Sequence, residues 1–569
     1  MVVPSRWQTS IPVCSLPKWV FGSSFDPLPE TPQYIDPERP DTHVITRAGY
    51  RLWAKRIALG LQRAGVKPGD RVLLFSGNNL FFPSVFMGIL MAGGIFTGAN
   101  PNYVARELAY QLKDSGAYIL IAADASMEIA MEAAELAGLP QDRVYSFDAT
   151  AMDKRKGKAR LGSKHWAALL ASEADAAKFD WVEPADPKET TCCLNYSSGT
   201  TGVSKGVEVT HYAYVANGTQ VVHVENIDPE IEEKRKTYRH LCFLPCYHAF
   251  GQTYFSSIHP HLGLPVYMMP AFELEKMLRY IQDYRISHII AVPPIIIALA
   301  KHAPSFKYDL SSVQSLSSGA APLGLEVSAE AAKLWPEGVL TVRQGWGMTE
   351  VTCTASAWHP SEHSRTSAVG EITANCQLRI MKTDGSGGEI TRANERGELW
   401  ITGPNLMKGY WKKPEATADT IHYDAEGTRW LKTGDIAYID KYEPGGKMYI
   451  VDRLKELIKV KGNQVAPAEL EAILLDNSAV TDVAVVGVTI NGEEVPRAYV
   501  VPSPTVKASE KEIAKWLEPR VTRYKYLKGG VKFIDAIPKN PSGKILRRAL
   551  RELAAKEVGD RAPTQSKLA

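Results

Sequence analysis

The strongest constraint on the fold is the regular alternation of short apolar runs with helical patterns along most of the chain. Apolar runs rich in β-branched or aromatic residues are typical of buried strands, and they occur at 71–76, 117–123, 288–294 and 341–347. Stretches between such runs, including 106–115 and 274–284, have the spacing of amphipathic helices. This alternation predicts an α/β fold in which helices cover largely parallel sheets in stacked layers.

The length of the chain and its later pattern predict more than one domain. With 569 residues the chain exceeds what one hydrophobic core usually serves. After about Thr373 the pattern changes to shorter strands with turns, which predicts a β-rich subdomain. The last part mixes helical patterns at 467–475 and 510–517 with strand patterns, which predicts a compact α+β unit.

Composition and charge argue against several classes of protein. Apolar residues make up 45% of the chain and charged residues 23%, as in ordinary globular proteins, and the net charge of +3 gives no case for a nucleic-acid partner. The seven cysteines form no CxxC pair and no signal peptide is evident, so we expect reduced thiols in an intracellular protein. The uncharged stretch 72–105 is interrupted by Pro83, Gly88 and Gly93. We therefore expect a buried helix and strand there rather than a membrane span.

The segment 196–207, YSSGTTGVSKGV, has the composition of a phosphate-binding loop. Its glycines allow the backbone to approach a ligand closely, and successive N–H groups with Ser and Thr hydroxyls can form a nest for anionic oxygens. It is not a Walker P-loop, because Lys205 is followed by Gly206 rather than by Ser or Thr. A solvated Ser/Thr/Gly linker is the alternative, but the segment lies between two hydrophobic runs, which favours a binding loop.

Seven further segments follow this loop in a fixed order. They are LPCYHAFG (244–251), SSGAAPLG (317–324), QGWGMTE (344–350), GELWITGPNLMKGYW (397–411), WLKTGDIAYID (430–440), IVDRLKELIKVKGNQVAPAELE (450–471) and PKNPSGK (538–544). Together they resemble the adenylate-forming superfamily of acyl-CoA and aryl-CoA synthetases, luciferases and peptide-synthetase adenylation domains. The last two segments are most similar to the branch of 4-coumarate:CoA ligases and luciferases.

The resemblance implies a domain arrangement and a reaction. A large adenylation domain would span 1–451, with its β-rich subdomain at about 373–451, and a small mobile domain would span 452–569 with its hinge at Asp452–Arg453. The reaction would be ATP-dependent ligation of a carboxylic acid to coenzyme A. An acyl-adenylate forms with release of pyrophosphate, and an acyl-CoA thioester then forms with release of AMP.

The resemblance also implies roles at a nucleotide site. Glu350 would bind Mg²⁺, which prefers hard oxygen ligands, and Thr349 would contact the α-phosphate. Trp346 replaces a more common tyrosine and would stack on adenine without the hydrogen bond of a phenol. Asp435 would accept hydrogen bonds from both ribose hydroxyls, with help from Arg453. The remaining ATP-binding positions are Ser197, Ser198, Gly199, Thr200, Thr201, Gly202, Lys205, Gly319, Ala320, Ala321, Pro322, Gln344, Gly345, Gly347 and Met348. Structural alternatives are a surface lysine at 205, a helix-capping glutamate at 350 and an ordinary turn at 435.

Two sets of residues in the small domain would serve the two steps in turn. By resemblance, Lys544 bridges the substrate carboxylate and the α-phosphate as charge develops. After rotation of the domain, four other residues would face the site for the thioester step: Lys459, Lys461, Gly462 and Gln464. His248 resembles the gating residue between the acyl pocket and the pantetheine tunnel, with a core histidine as the alternative.

The predicted acyl pocket is apolar. Its named members are Tyr247, Phe250, Gly251, Ile295 and Gly345. The segments that would form its walls carry no charged residue, which favours a hydrophobic acid, either aryl (4-coumarate-like or phenylacetate-like) or a medium-chain fatty acid. No acidic partner for an α-amine is present at 244–251, which argues against amino acids.

Other functions stay open at this point. A stand-alone adenylating enzyme that loads a carrier protein would share these motifs. A nucleotide-binding protein without catalysis is disfavoured because Lys544, Glu350 and Asp435 are all present. We expect small-molecule partners (the acid, ATP and coenzyme A) and a monomer or homodimer. Ser566, Lys567 and Leu568 form a peroxisomal signal only at the very end of a chain, and Ala569 follows them, so the expected location is peroxisomal or else cytoplasmic.

Overall fold

The computed structural model describes residues 1–153, 157–197, 204–303, 306–460, 463–490, 493–540 and 543–558. Several predicted positions lie outside these ranges: Ser198, Gly199, Thr200, Thr201, Gly202, Lys461, Gly462, Ser566, Lys567, Leu568 and Ala569.

The secondary-structure elements are numbered in chain order. The strands are β1 (Val3–Pro4), β2 (Pro32–Ile35), β3 (Val44–Thr46), β4 (Arg71–Phe75), β5 (Ile95–Ala99), β6 (Ala117–Ala123), β7 (Val144–Phe147), β8 (Lys164–His165), β9 (Thr191–Ser197), β10 (Lys205–Thr210), β11 (His240–Cys242), β12 (Val266–Met268), β13 (His288–Ala291), β14 (Ser315–Ser318) and β15 (Val342–Gln344). They continue with β16 (Ser356–Ala357), β17 (Glu371–Ile372), β18 (Gln377–Met381), β19 (Glu389–Ile390), β20 (Gly397–Thr402), β21 (Gly409–Tyr410), β22 (Ile421–Tyr423), β23 (Arg429–Ile439), β24 (Met448–Arg453), β25 (Ile458–Val460), β26 (Asn463–Val465), β27 (Val480–Ile490), β28 (Glu493–Pro502) and β29 (Val531–Phe533). The helices are α1 (Leu16–Phe21), α2 (Arg47–Arg63), α3 (Phe82–Met91), α4 (Ala105–Ser115), α5 (Met127–Ala137), α6 (Glu173–Ala177), α7 (His211–Glu225), α8 (Ile231–Arg235), α9 (Ala249–Thr253), α10 (His259–His261), α11 (Leu274–Tyr284), α12 (Pro293–His302), α13 (Leu325–Ala332), α14 (Pro414–Thr420), α15 (Pro467–Leu475), α16 (Glu510–Leu517) and α17 (Arg547–Val558).

Two mainly parallel sheets form the body of the large unit. The first has the order β21-β10-β9-β5-β4-β6-β7-β8, and the second has the order β15-β14-β13-β11-β12-β2-β3. The central strands of the first sheet are continuous apolar runs because both faces are covered, as parallel sheets require. The α/β class predicted from the alternation of apolar runs is therefore confirmed.

A third sheet and a small unit complete the chain. The third sheet is antiparallel, with the order β1-β18-β20-β23-β22, and β19 and β24 pair at its side. The small unit contains the antiparallel hairpin β25–β26 and the sheet β27-β28-β29, packed against α15 and α17. The small unit has two clusters of buried side chains, one containing Val485 and the other Val486. All residues of both clusters lie at or after Ile458 in the sequence.

The uncharged stretch forms β4, the buried helix α3 and the buried strand β5, as the interrupting prolines and glycines indicated. Among the residues that the structure describes, no helix combines the length and the apolar character needed to cross a bilayer.

Helix α2 packs closely against its neighbours in the large unit. Helix α2 runs against α3, and a β-carbon placed at Gly60 would lie 1.8 Å from the carbonyl oxygen of Leu169. Glycine therefore permits an approach that any larger residue would obstruct.

Candidate active site

A cavity of about 560 Å³ collects residues from segments that are hundreds of positions apart in the sequence. The predicted site residues that line it are Ser197, Lys205, His248, Phe250, Gly319, Ala320, Gln344, Gly345, Trp346, Gly347, Met348, Thr349, Glu350, Arg453 and Lys544. The cavity thus joins the large unit to a loop of the small unit. A site at such a junction is a common place for ligand binding.

The two described ends of the phosphate-type loop lie at this cavity. Ser197 ends β9 and Lys205 begins β10, and the two residues face each other in the antiparallel register. The ammonium of Lys205 lies 4.8 Å from the ring centroid of Tyr410, within cation–π distance. A strand pair therefore fixes both ends of the loop at the cavity wall.

Glu350 is held by a residue that sequence reasoning gave no role. Its Oε1 accepts a hydrogen bond of 2.9 Å from the hydroxyl of Tyr410 and lies 3.5 Å from the Ser197 hydroxyl. Burial, and then the neighbouring Glu350 carboxylate, raises the pKa of Tyr410, so the phenol stays a donor. Tyr410 lies in β21, whose pairing with β10 becomes evident only in three dimensions.

The donor set at Glu350 fits a metal that takes most of its ligands from a substrate. Oε2 has no hydrogen-bond partner within the described ranges, so this cavity-lining residue keeps one hard oxygen available to a ligand. Within those ranges no group of three or more His, Cys, Asp or Glu side chains is placed to hold an ion. Mg²⁺ is often bound in this way, through one or two carboxylates, phosphate oxygens and water.

Trp346, Asp435 and Arg453 form a hydrogen-bonded cluster beside the cavity. The indole N–H of Trp346 donates to Oδ2 of Asp435 at 2.9 Å, and Nε of Arg453 lies 2.7 Å from Oδ1. Because Trp346 lacks a phenol hydroxyl, it was expected to lose a hydrogen bond. The indole N–H instead makes a different hydrogen bond, to Asp435. Asp435 is only 3% exposed and, unlike Trp346 and Arg453, is not among the residues that line the cavity. Ribose hydroxyls would have to use the remaining lone pairs of its carboxylate.

Lys544 reaches the same region from the small unit. Its loop is closed by a bridge between Lys539 and Ile545, and Gly543 packs against Pro294 at the start of α12. Burial, and then the charge of Arg453, lowers the pKa of Lys544, whereas Asp435 and Glu350 act in the opposite direction. The ammonium therefore lies within electrostatic reach of both predicted nucleotide carboxylates.

His248 is at once a helix cap and a wall of the cavity. It precedes α9, and its Nδ1 accepts a hydrogen bond of 3.3 Å from the backbone N–H of Phe250. Burial, and then the charge of Lys544, lowers the pKa of His248 to about 4. A neutral imidazole at ordinary pH suits a structural or gating position better than proton transfer near pH 7.

Several predicted residues lie away from the cavity. In the acyl set, Gly251 packs within α9 against the carbonyl of Pro245, Ile295 faces the core from α12, and Tyr247 packs on Gly98. Ala321 and Pro322 follow the lining residues Gly319 and Ala320 without joining them, and Lys459 and Gln464 lie on the β25–β26 hairpin of the small unit. Of the predicted acyl set, Phe250 and Gly345 line the cavity.

The sequence interpretation missed several residues of the cavity wall. Val221, Val224 and Glu225 line the cavity from α7, which begins directly after β10. Their i, i+3, i+4 spacing places them on one helix face, and this signal could have identified them. Tyr254 and Arg343 also line the cavity. The cavity wall therefore includes two charged residues, Glu225 and Arg343, that lie outside the predicted wall segments.

The chain is similar to known proteins over nearly its whole length. The family model described as "AMP-binding enzyme" matches residues 26–411, and the model described as "AMP-binding enzyme C-terminal domain" matches 469–544. The chain is 36% identical to the phenylacetyl-CoA ligase epaB of Aspergillus niger, over 95% of this chain and 97% of that one. It is 37% identical to 4-coumarate–CoA ligase 2 of Nicotiana tabacum, over 90% of each chain.

Solved structures show the same fold at lower identity. ATP-bound MatB from Rhodopseudomonas palustris has a TM-score of 0.79 and 24% identity, over 96% of this chain and 99% of that one. The anthranilate CoA ligase AuaEII, in complex with anthranoyl-AMP, has a TM-score of 0.81 and 21% identity over the same shares.

Proposed function

The chain belongs to the AMP-binding enzyme family, and from this premise we propose that it joins hydrophobic, mainly aryl, carboxylic acids to coenzyme A. The reaction class is that of an AMP-forming acid–CoA ligase. The relatives are CoA ligases, which does not favour the alternative of a carrier-loading enzyme.

One observation supports the catalytic assignment most. Lys544 enters the cavity from the small unit and lies within electrostatic reach of Glu350, Asp435 and Arg453 from the large unit. A carboxylate that approaches a triphosphate meets strong repulsion, and positioned cations stabilise the charge that develops.

In the first step a carboxylate oxygen of the acid attacks the α-phosphorus of ATP. The new P–O bond forms as the bond to the β-phosphate breaks, and pyrophosphate leaves with the electron pair. Lys544 would neutralise the approaching carboxylate and the α-phosphate, and Lys205 would hold the departing phosphates. Mg²⁺ bound at Glu350 would add charge stabilisation at the phosphates.

In the second step the sulfur of coenzyme A attacks the acyl carbonyl carbon. The bond between that carbon and the phosphate oxygen of AMP breaks, AMP leaves with the electron pair, and the thiol proton passes to water. We propose that the small unit, from residue 452, turns at Asp452–Arg453 to exchange Lys544 for the hairpin that carries Lys459 and Gln464. The carboxylate of Asp452 accepts hydrogen bonds from the backbone N–H groups of Arg453 and Ala468, which supports a junction at this pair.

The acid is proposed from the apolar part of the lining and from the relatives. Phe250, Val221 and Val224 supply apolar surface, and relatives named for phenylacetyl-CoA and 4-coumarate–CoA ligation favour aryl acids over fatty acids. Purified protein would be given ATP, Mg²⁺ and coenzyme A with arylacetates, arylpropenoates, C6 to C12 fatty acids and amino acids. AMP and the thioester would be quantified together. AMP formation without a thioester, or no turnover of any acid, would overturn the proposal.

A peroxisomal location is proposed from Ser566, Lys567 and Leu568. This tripeptide acts as a signal only at the very end of a chain, and here Ala569 follows it. A fluorescent protein fused to the amino end, compared with and without Ala569, would test it. Absence of peroxisomal import both with and without Ala569 would overturn the proposal.

A further inference from the structure

One end of the cavity carries a carboxylate that the proposed reaction does not use. Glu225 is the last residue of α7 and shares its cavity-facing side with Val221 and Val224. Its side chain is 40% accessible, yet burial raises its pKa, because the protein surrounds it. Glu225 is also one of the residues that line the cavity, so part of its surface is available to a ligand there.

The position of Glu225 is unfavourable for stability alone. A negative charge in the last turn of a helix opposes the helix dipole, and removal of a carboxylate from water costs further free energy. Its ion-pair partner, Arg235, lies 3.1 Å from Oε2 and also binds the exposed Glu232. A residue retained at such a cost is a candidate for a functional contact.

Glu225 leaves one acceptor oxygen available to a ligand. Oε2 accepts from Arg235, whereas no donor from the described part of the chain lies within hydrogen-bond distance of Oε1. The other cationic lining residue on this side, Arg343, already donates to the backbone carbonyls of Pro360 and Glu362. Tyr254 donates to or accepts from the hydroxyl of Thr354 at 3.1 Å.

We propose that the carboxylate of Glu225 accepts a hydrogen bond from a hydroxyl or amino group at the end of the acid farthest from its carboxyl group. The preferred substrates would then be aryl acids that carry such a hydrogen-bond donor on the ring. This inference rests on the proposed function. The carboxyl group of the substrate must lie near Lys544, whose charged neighbours are Arg453, Asp435, Glu350 and Glu456. Glu225 has a different set of neighbours, namely Arg235, Tyr238 and Tyr254, so the two side chains line different parts of the cavity.

The chemistry of a buried carboxylate defines the substrate class further. It accepts a hydrogen bond from a neutral phenol or an aromatic amine, and it repels a second carboxylate at the far end of the acid. An α-amine lies one carbon from the reacting carboxyl group and cannot reach this position. A site built to bind a donor discriminates against an analogue that lacks it more strongly than an apolar pocket does.

The experiment compares matched acids on matched variants. The acids are 4-hydroxyphenylacetate, 4-aminophenylacetate and phenylacetate, and the enzymes are wild type, Glu225→Gln, Glu225→Leu and Glu232→Gln. Glu232→Gln serves as the control because it removes the exposed partner of Arg235 and leaves the cavity unchanged. Thioester formation gives kcat and KM for each pair, and thermal melting checks that each variant folds.

We expect wild type and Glu232→Gln to prefer the hydroxy and amino acids. Glu225→Leu should lower kcat/KM for those acids by roughly 10- to 100-fold, mainly through KM, and should leave phenylacetate unchanged or improved. Glu225→Gln retains one acceptor oxygen, so its kcat/KM for the hydroxy and amino acids should lie between those of wild type and Glu225→Leu.

Three outcomes would overturn the inference. An equal loss for all three acids in both Glu225 variants would make Glu225 a structural residue. Unchanged preference in Glu225→Gln and Glu225→Leu would show that the substrate does not contact it. No turnover of any acid by wild type would overturn the proposed function, and this inference with it.

Discussion

The indole N–H of Trp346 donates a 2.9 Å hydrogen bond to Oδ2 of Asp435, although the two residues are 89 positions apart in the sequence. Trp346→Phe keeps a ring that can stack on adenine but removes this donor. We expect the KM for ATP to rise about tenfold, since a hydrogen bond to a charged group contributes about 1.5 kcal/mol or more. Trp346→Tyr, which brings a hydroxyl donor, should lose less. An unchanged KM for ATP in Trp346→Phe would contradict a role of the pair in nucleotide binding.

Lys544→Ala should separate the two half-reactions. Adenylation, followed by ATP–pyrophosphate exchange, should slow by roughly 10²–10³, the usual cost of one lost charge-stabilising donor. Thioester formation from supplied acyl-AMP should largely persist. The matched control is Lys539→Ala, because that lysine pairs with Asp482 at 2.6 Å inside the small unit and does not line the cavity. Equal loss in both half-reactions would contradict the assignment of Lys544.

Tyr410→Phe should weaken the binding of Mg²⁺ that we propose for Glu350. The variant removes the 2.9 Å hydrogen bond to the carboxylate but retains the ring beside Lys205. A lost hydrogen bond of about 1 kcal/mol predicts a rise of about fivefold in the Mg²⁺ concentration for half-maximal adenylation. Tyr423→Phe, at an exposed tyrosine, is the control. If both variants titrate alike with Mg²⁺, Tyr410 does not position Glu350 for the metal.

The contact between the two units should depend on pH. Burial, and then the Glu326 carboxyl group across the contact, raises the pKa of Asp476 from 3.8 to about 7. A raised pKa means that docking of the units binds a proton, so docking is favoured at low pH and this preference is lost as the pH rises through about 7. Fluorescence transfer between dyes on the two units, from pH 6 to 8.5 at low ionic strength, would measure it.

The same measurement on Glu326→Gln supplies the comparison. Without the second carboxyl group, the pKa of Asp476 should return toward its ordinary value and the pH dependence should flatten. A pH dependence identical to that of wild type would exclude this pair as its source.

Gly60→Ala should destabilise the protein although alanine is the better helix former. In the interior of α2 the replacement should gain about 1 kcal/mol from helix propensity. The new β-carbon, however, would meet the carbonyl oxygen of Leu169 at 1.8 Å, and overpacking of this kind costs about 1–3 kcal/mol or more. We expect a lower melting temperature, measured by circular dichroism, whereas Gln62→Ala on the exposed side of α2 should melt close to wild type.

The sequence predicted the parts of the fold that have a local cause. The run at 71–76 forms β4 because a continuous apolar run suits a strand that is buried on both faces. Pairing between β1 and β18 had no such signal, since a two-residue strand near the chain start has no periodicity. The order of strands in each sheet also depends on contacts that no single segment encodes.

The site was predictable to a similar extent. Motif order located Lys544, Glu350 and Arg453, which the structure brings to one cavity. Tyr410 was missed because its contact with Glu350 joins positions that are 60 residues apart in the sequence. Glu225 was missed although its spacing from Val221 and Val224 on one face of α7 was a visible signal. Gly251 and Ile295, which were expected in the walls of the acyl pocket, do not line this cavity. Gly251 packs against the carbonyl of Pro245, and Ile295 is buried on α12.

Adjacent residues of β24 serve different halves of the molecule. Asp452 accepts a hydrogen bond from the N–H of Ala468 in the small unit, whereas Arg453 lies against Asp435 on the nucleotide side. If the small unit turns at this pair, as we propose, Arg453 stands at the pivot, where displacement is smallest. The adenylate intermediate would then keep its anchorage while distant parts of the small unit travel farthest, so a reactive mixed anhydride need not be released between one chemical event and the next.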